Sequence, residues 1–267
     1  MNKLTKESGL KFNVIKTNKA MVDYLKNTHE KTMVRKDAPI YMTGHLEKVF
    51  LHLCTAAGKY ITKEDNKITF KVIKTAIKSD KSLMNMFVTY LYNYNSEDSY
   101  EFTVFDNHTY IDLLSTVNKD YILTESGKNF FRFLLGSAFQ NVLNIAFVLK
   151  EYKNNSSIGS KEVQLAIQIK YEGDLLDEIQ AYSTKAVTQY TKYREEKVPK
   201  TKSNTSNKTK DADSDNACDE DMNENEEVKE TSKKKNKKSK NTKQNIKKKL
   251  VFNSDSDSDS DEPVETA

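Results

Sequence analysis

The sequence predicts an all-α protein: two tandem helical triplets followed by a disordered, charged tail. Three observations carry that expectation. Of 267 residues only 7 are Gly and 3 Pro, few turn formers for a sheet-rich fold, while 31% are charged and 36% hydrophobic. Apolar residues recur at spacings of three and four through residues 14–190. The order short helix, long helix, short helix occurs twice, which organises the whole chain.

Taken in order, residues 14–26 hold Val14, Ile15, Ala20, Met21, Val22 and Leu25, a short first helix. Residues 38–61 set Met42, Leu46, Val49, Phe50, Leu53, Ala57 and Tyr60 on one stripe, and Asp37 before Ala38 and Pro39 predicts an N-cap with a first-turn proline. "FKVIKTAIK" (70–78) closes the first triplet. The second comprises "HTYIDLLSTV" (108–117), a long helix over 124–151, the loop "KNNSSIGS" and a short helix over 160–170. A further helix, 174–190, places Leu175, Leu176, Ile179, Tyr182, Ala186, Val187 and Tyr190 on one face. The second long helix, with Phe130, Phe131, Phe133, Leu134, Leu135, Ala138, Phe139, Val142, Leu143, Ile145, Ala146 and Phe147, is apolar nearly all round and needs cover on most sides. One triplet of about 75 residues buries too small a fraction of its surface to give that cover. Two triplets packed long helix across long helix can, so the repeat predicts an intramolecular dimer.

Charge is uneven. Residues 1–92 carry 17 Lys/Arg against 8 Asp/Glu, and residues 93–195 carry 10 against 14. From 196 onward, 16 Lys face 17 acids, and the only large apolar cluster is Leu250, Val251 and Phe252, too little to offset the entropy of ordering the chain. Cys54 lies in a helical pattern and Cys218 in an acidic run, so neither a disulfide nor a metal site is expected, and the compartment should be reducing. No apolar run of about 18 residues occurs, and the N-terminus lacks a signal-peptide core; no membrane partner is expected. His45 and His52 stand seven apart on one helix without a third ligand. With no phosphate loop and no nucleophile–His–acid pattern, the expectation is a protein that is not an enzyme and has neither cofactor nor small-molecule substrate.

"SGLKF" (8–12), "RKDAPIYMTGHLE" (35–47) and "ITFKVIKTAIKSD" (68–80) resemble the A-type core histone of the pair flanking the central tetramer. "SSIGSKEVQLAI" (156–167) and "LLDEIQAYSTKAVTQYT" (175–191) resemble the B-type histone more closely, and the interval from Thr124 to Tyr152 fits that family's long helix without a gap. The resemblance covers residues 8–194, with 183–191 its most specific part, and the fused order is similar to the histone doublets of large DNA viruses. It implies two tandem histone folds in an intramolecular handshake pseudo-dimer: an A-type-like fold over 8–88, a linker over 89–107, a B-type-like fold over 108–194 and the tail over 195–267. About 20 linker residues reach roughly 66 Å when extended, ample to cross one dimer. In the closing helix, Lys185 and Thr188 would face outward and Ala186, Val187 and Tyr190 the partner.

The resemblance also implies where DNA would lie. Lys16 and Lys19 stand on the first helix, and Arg35 and Lys36 just before the first long helix. Lys67 occupies a loop position where the family has a minor-groove arginine. Ser156 and Ser157 match a Ser-Thr pair that meets phosphate, Lys119 and Lys153 flank the two loops, and Thr124 opens the second long helix. Helix N-termini with free N–H groups and nearby cations hold phosphates, positioning DNA without reading its sequence; the histone octamer bends DNA in this way. Asn155 stands where an arginine is expected, so grip should be weaker in the acidic half. Of the family's acidic patch, Glu47 and Asp80 remain, with His52, Thr55, Lys81 and Ser82 at other patch positions.

The tail has an acidic block (211–230), a basic block (233–249) and "SDSDSDSDE" (254–262). In the basic block Lys233, Lys234, Lys235, Lys237, Lys238, Lys247, Lys248 and Lys249 are candidates for nuclear import or salt-dependent DNA binding. Ser254, Ser256, Ser258 and Ser260 suit an acid-directed kinase. Together these features predict a histone doublet that binds and bends double-stranded DNA largely without sequence specificity, with other histone-fold chains forming the central tetramer. It would act in the nucleus or a viral replication compartment, or be packaged in the virion. The alternatives are a sequence-specific transcription factor on the same fold and a histone chaperone or assembly subunit.

Overall fold

The computed structural model describes residues 3–29, 32–62, 65–95, 98, 100–105 and 108–197. Among these, the helices are α1 (Lys3–Ser8), α2 (Val14–Thr28), α3 (Asp37–Gly58), α4 (Phe70–Ser79), α5 (Lys81–Asn93), α6 (Thr109–Val117), α7 (Glu125–Tyr152), α8 (Ser160–Lys170) and α9 (Gly173–Lys197). Four two-residue strands lie between them: β1 (Met33–Val34), β2 (Lys67–Ile68), β3 (Ile122–Leu123) and β4 (Ser157–Ile158).

Local chemistry sets most helix starts. Asn13 accepts from the N–H groups of Ile15 and Lys16 to open α2, and Thr69 accepts from Val72 N–H to open α4. Asp80 ends α4 and, through Leu83 N–H at 3.0 Å, caps α5. Asp37 departs from expectation. It is the first residue of α3 rather than its cap, and its carboxylate is turned to the other triplet, accepting from Ser160 N–H at 3.2 Å and Ser160 Oγ–H at 2.7 Å.

The strands pair crosswise and in parallel. β1, between α2 and α3, pairs with β4, between α7 and α8; β2, between α3 and α4, pairs with β3, between α6 and α7. Each strand pair thus joins one loop of each triplet. The larger of two core clusters runs through both triplets: Phe50 of α3 meets Phe131 of α7 with ring centroids 4.8 Å apart, and Phe12 lies 6.0 Å from Phe50.

Three differences from the sequence reading stand out. First, α1 and α5 are additional helices, and α5 reaches Asn93, inside the segment expected to be linker. Second, that segment is not a loose spacer: Phe105 is buried against Phe12, Phe50 and Tyr110, and Tyr94 and Tyr100 pack on Phe133 of α7. Asn129 of α7 fixes the segment, accepting from Tyr100 N–H at 2.9 Å and donating to the Asp98 carbonyl at 2.7 Å. Third, α9 runs to Lys197, past the expected start of the tail.

α7 is long and apolar enough by length and composition to cross a membrane, with a mean hydropathy of 1.4 over its most apolar window. Here it is a core helix, packed by α3, α4, α5 and α8. Cover is incomplete at its C-terminal end, where Val148 and Tyr152, one turn apart, are exposed. In α9, Ala186 and Tyr190 are buried with Leu10, Val14 and Ile40, whereas Lys185 and Thr188 are exposed. The threonines and lysine of "STKAVTQYT" therefore alternate with a buried stripe that seals the first triplet's N-terminal segment.

Candidate nucleic-acid interface

At the first loop pair, Met33 and Val34 are in register with Ser157 and Ile158, and Arg35 N–H donates to the Ile158 carbonyl at 2.9 Å. This brings Arg35 and Lys36 together with Ser156, Ser157 and the N-terminus of α8. Arg35 and Ser156 are exposed; Lys36 and Ser157 are half-buried. The Arg35 side chain lies over Gly159, where a Cβ would sit 3.2 Å from Arg35 Cδ, so a larger residue would displace it. Its Nε is 3.5 Å from Asp37 Oδ1, while Asp37 Oδ2 holds Ser160.

Lys153 caps the C-terminus of α7, with Nζ 3.6 Å from Glu162 Oε1. Glu162 is nearly buried and closes the first turn of α8, accepting from Gly159 N–H at 2.9 Å. Asn155, at the place where the resemblance expects an arginine, donates to the same carboxylate at 3.2 Å. Asn154 takes a left-handed backbone with φ of 52°, a conformation that asparagine tolerates better than most residues.

The second loop pair is built likewise. Lys67 and Ile68 are in register with Ile122 and Leu123, and Ile122 N–H donates to the Asn66 carbonyl at 2.9 Å. Lys67 is exposed, with its Nζ 3.4 Å from Asp65 Oδ1. Lys119 is exposed three residues before β3. Thr124 ties the two loops: its N–H and its hydroxyl both donate to the Ile68 carbonyl, at 3.1 and 3.0 Å, and its Oγ1 accepts from Gly127 N–H at 3.2 Å. The Thr124 hydroxyl thus serves the loop junction and the start of α7, where the sequence placed Thr124 among the DNA-binding residues. Gly127 permits this closeness, since a Cβ there would lie 2.5 Å from the Ile68 oxygen.

Other expected site residues fall elsewhere. Lys16, half-buried, and Lys19, exposed, lie on α2, outside both strand pairs. The expected acidic patch is overturned at Glu47. That residue is 0% exposed; its carboxylate accepts the N–H groups of Lys11 and Phe12 and the Tyr182 hydroxyl, and burial pushes it up to about 7. Asp80 is half-buried as the α5 cap. On the adjoining surface Glu178 is held by Lys48 at 3.1 Å and faces His52 at 3.4 Å. His45 is buried with its Nε2 2.6 Å from the Tyr171 hydroxyl, and burial pushes its pKa down to about 3, so it is neutral at physiological pH. The tail residues Lys233, Lys234, Lys235, Lys237, Lys238, Lys247, Lys248, Lys249, Ser254, Ser256, Ser258 and Ser260 lie outside the described residues.

Sequence reading missed Asp65, Glu162 and Gly127 at these loops and gave Asp37 the role of a cap instead of a tie between them. "GSKE" at 159–162 carried a signal for Glu162, an acid three residues into a helix start. An isolated glycine in the first turn of an apolar helix was the sign for Gly127. No family model matches the chain.

Proposed function

We propose that this protein is a histone-fold doublet that binds and bends double-stranded DNA largely without reading its sequence. The observation that carries this reading is the reciprocal loop pairing, β1 with β4 and β2 with β3, which sets a loop of each triplet side by side at two places. Each place gathers cations, Arg35, Lys36 and Lys153 at one and Lys67 and Lys119 at the other, around a helix N-terminus. Backbone N–H groups, the positive end of a helix dipole and side-chain cations form a phosphate site, and two such sites on one folded unit favour a curved duplex. Hydrogen bonds to phosphate hold position and carry no sequence information, so binding is steep in salt and indifferent to base order.

In this reading the exposed Val148 and Tyr152 at the end of α7 are anchors for a further histone-like chain, the tetramer-forming partner. Nuclease digestion of complexes on random and on defined DNA, with and without co-purifying histone-like chains, tests it. Uniform protection of lengths near a nucleosome wrap supports packaging. One short protected site points to a sequence-specific regulator, and no protection at any salt points to a chaperone; either outcome overturns the proposal.

A further inference from the structure

We infer that each DNA-facing loop pair carries its own phosphate surrogate: a carboxylate that holds the loop cation and that a DNA phosphate must displace. The inference rests on the DNA-binding reading above. Three cations assigned to the loops are each ion-paired to a nearby acid: Arg35 with Asp37 at 3.5 Å, Lys67 with Asp65 at 3.4 Å and Lys153 with Glu162 at 3.6 Å. Two of the acids sit two residues from their cation, and the third sits one helical turn into α8, across the β4 loop from Lys153.

The consequence follows from electrostatics. A phosphate approaching Lys67 meets Asp65 beside it, so it must take the ammonium from an existing partner and also accept a like charge nearby. The Lys67–Asp65 pair is solvent-exposed on both sides, and an exposed ion pair is weak, at about 0 to 1 kcal/mol, so the exchange is easiest there; Asp37 and Glu162 are more buried, and a phosphate taking their cations leaves a less solvated carboxylate behind. Affinity is set below what the cation count suggests, and the exchange keeps binding reversible. Asp37 has a second function that distinguishes it from Asp65. With Oδ1 3.5 Å from Arg35 Nε and Oδ2 on Ser160, it ties the two triplets together. Losing Arg35 to a phosphate leaves the Ser160 bonds in place, so DNA can take the cation without loosening the pair.

Neutral isosteres test this. Asp65 and Lys67 are both more than half exposed, so Asp65→Asn leaves the fold intact. Asp37→Asn keeps an oxygen to accept from Ser160. Binding of the full chain to a random-sequence duplex is followed by fluorescence anisotropy across a potassium chloride series, with Asp177→Asn, an exposed acid of α9, as the control for net charge. Both loop variants should bind about three- to ten-fold more tightly at about 0.1 M salt, and the slope of log affinity against log salt should steepen by about one, as for one more phosphate neutralised. The control should change affinity less than about two-fold with an unchanged slope. Equal behaviour of loop variants and control overturns the surrogate while leaving DNA binding standing. No binding by the wild-type chain at the lowest salt overturns the DNA reading and the surrogate with it.

Discussion

Replacing Glu47 by alanine would strand three donors at once: the N–H groups of Lys11 and Phe12 and the Tyr182 hydroxyl, all of which donate to its carboxylate. A buried donor left unsatisfied costs about 1–3 kcal/mol. Phe12 N–H is buried and the other two contacts are partly so, which puts the loss at about 3–5 kcal/mol. A domain of marginal stability, about 5–15 kcal/mol, would feel this strongly. Glu47→Gln keeps one oxygen for the two N–H groups and presents an amide to Tyr182, so it should be mild.

The two variants also separate the charge from the hydrogen bonds. Burial raises the Glu47 pKa from 4.5 to about 7, and its three donors only partly offset that. Between these values the folded chain binds more protons than the unfolded chain. Stability from this group is therefore fully present below about pH 4.5 and is lost as pH rises through about 7. The shift corresponds to about 3 kcal/mol as an order of magnitude. Urea unfolding of wild type and Glu47→Gln at about pH 5 and about pH 8 should show the wild type losing stability relative to glutamine by that amount on going to the higher pH. A difference between the two that stays constant with pH, or Glu47→Ala unfolding within about 0.5 kcal/mol of wild type, would refute the reasoning.

Other positions give equally definite outcomes. Phe131→Ala removes a fully buried ring that touches Phe50 and should cost about 3–5 kcal/mol in urea unfolding. Gly127→Ala places a Cβ against the Ile68 oxygen and Leu123 Cδ1 and should destabilise by about 1–3 kcal/mol, with amide exchange at Ile122 and Thr124 rising more than exchange at Arg35. Lys67→Glu should lower DNA affinity and flatten its salt dependence while leaving the circular dichroism spectrum unchanged; unaltered binding across a salt titration would remove Lys67 from the interface.

The repeated helix order was legible because it rests on periodicity. The 3.6-residue stripes of α3 and α7 are long, and the sequence carries them openly. Asp37 misled because a cap and a bond to a distant serine look the same in sequence: both need an acid just before Ala-Pro, and only the crossing of the loops decides which forms. α5 was hidden by its aromatic and polar composition, "KSLMNMFVTYLYN", whose buried face of Leu83, Met86, Phe87, Tyr90 and Leu91 became plain only once α7 stood opposite. Glu47 was misplaced for a related reason. A charged residue at helical spacing reads as solvated, and nothing near it in sequence announces that residues 10–12 and Tyr182 will close over it. The cations of the loops were found, but the acids beside them were not, since each pairing depends on a turn or helix start that brings two side chains to one side.

Photo-crosslinking of the full chain to a random-sequence duplex, followed by mass spectrometry of the crosslinked peptides, locates DNA on the molecule most directly. Crosslinks should concentrate in two places, residues 33–36 with 153–158 and residues 66–69 with 119–124, since the paired loops of the two triplets meet there. Crosslinks confined to the lysine-rich stretch 233–249, or spread over α4 and α5 with none at the paired loops, would contradict the proposal that the clasped triplets themselves hold DNA.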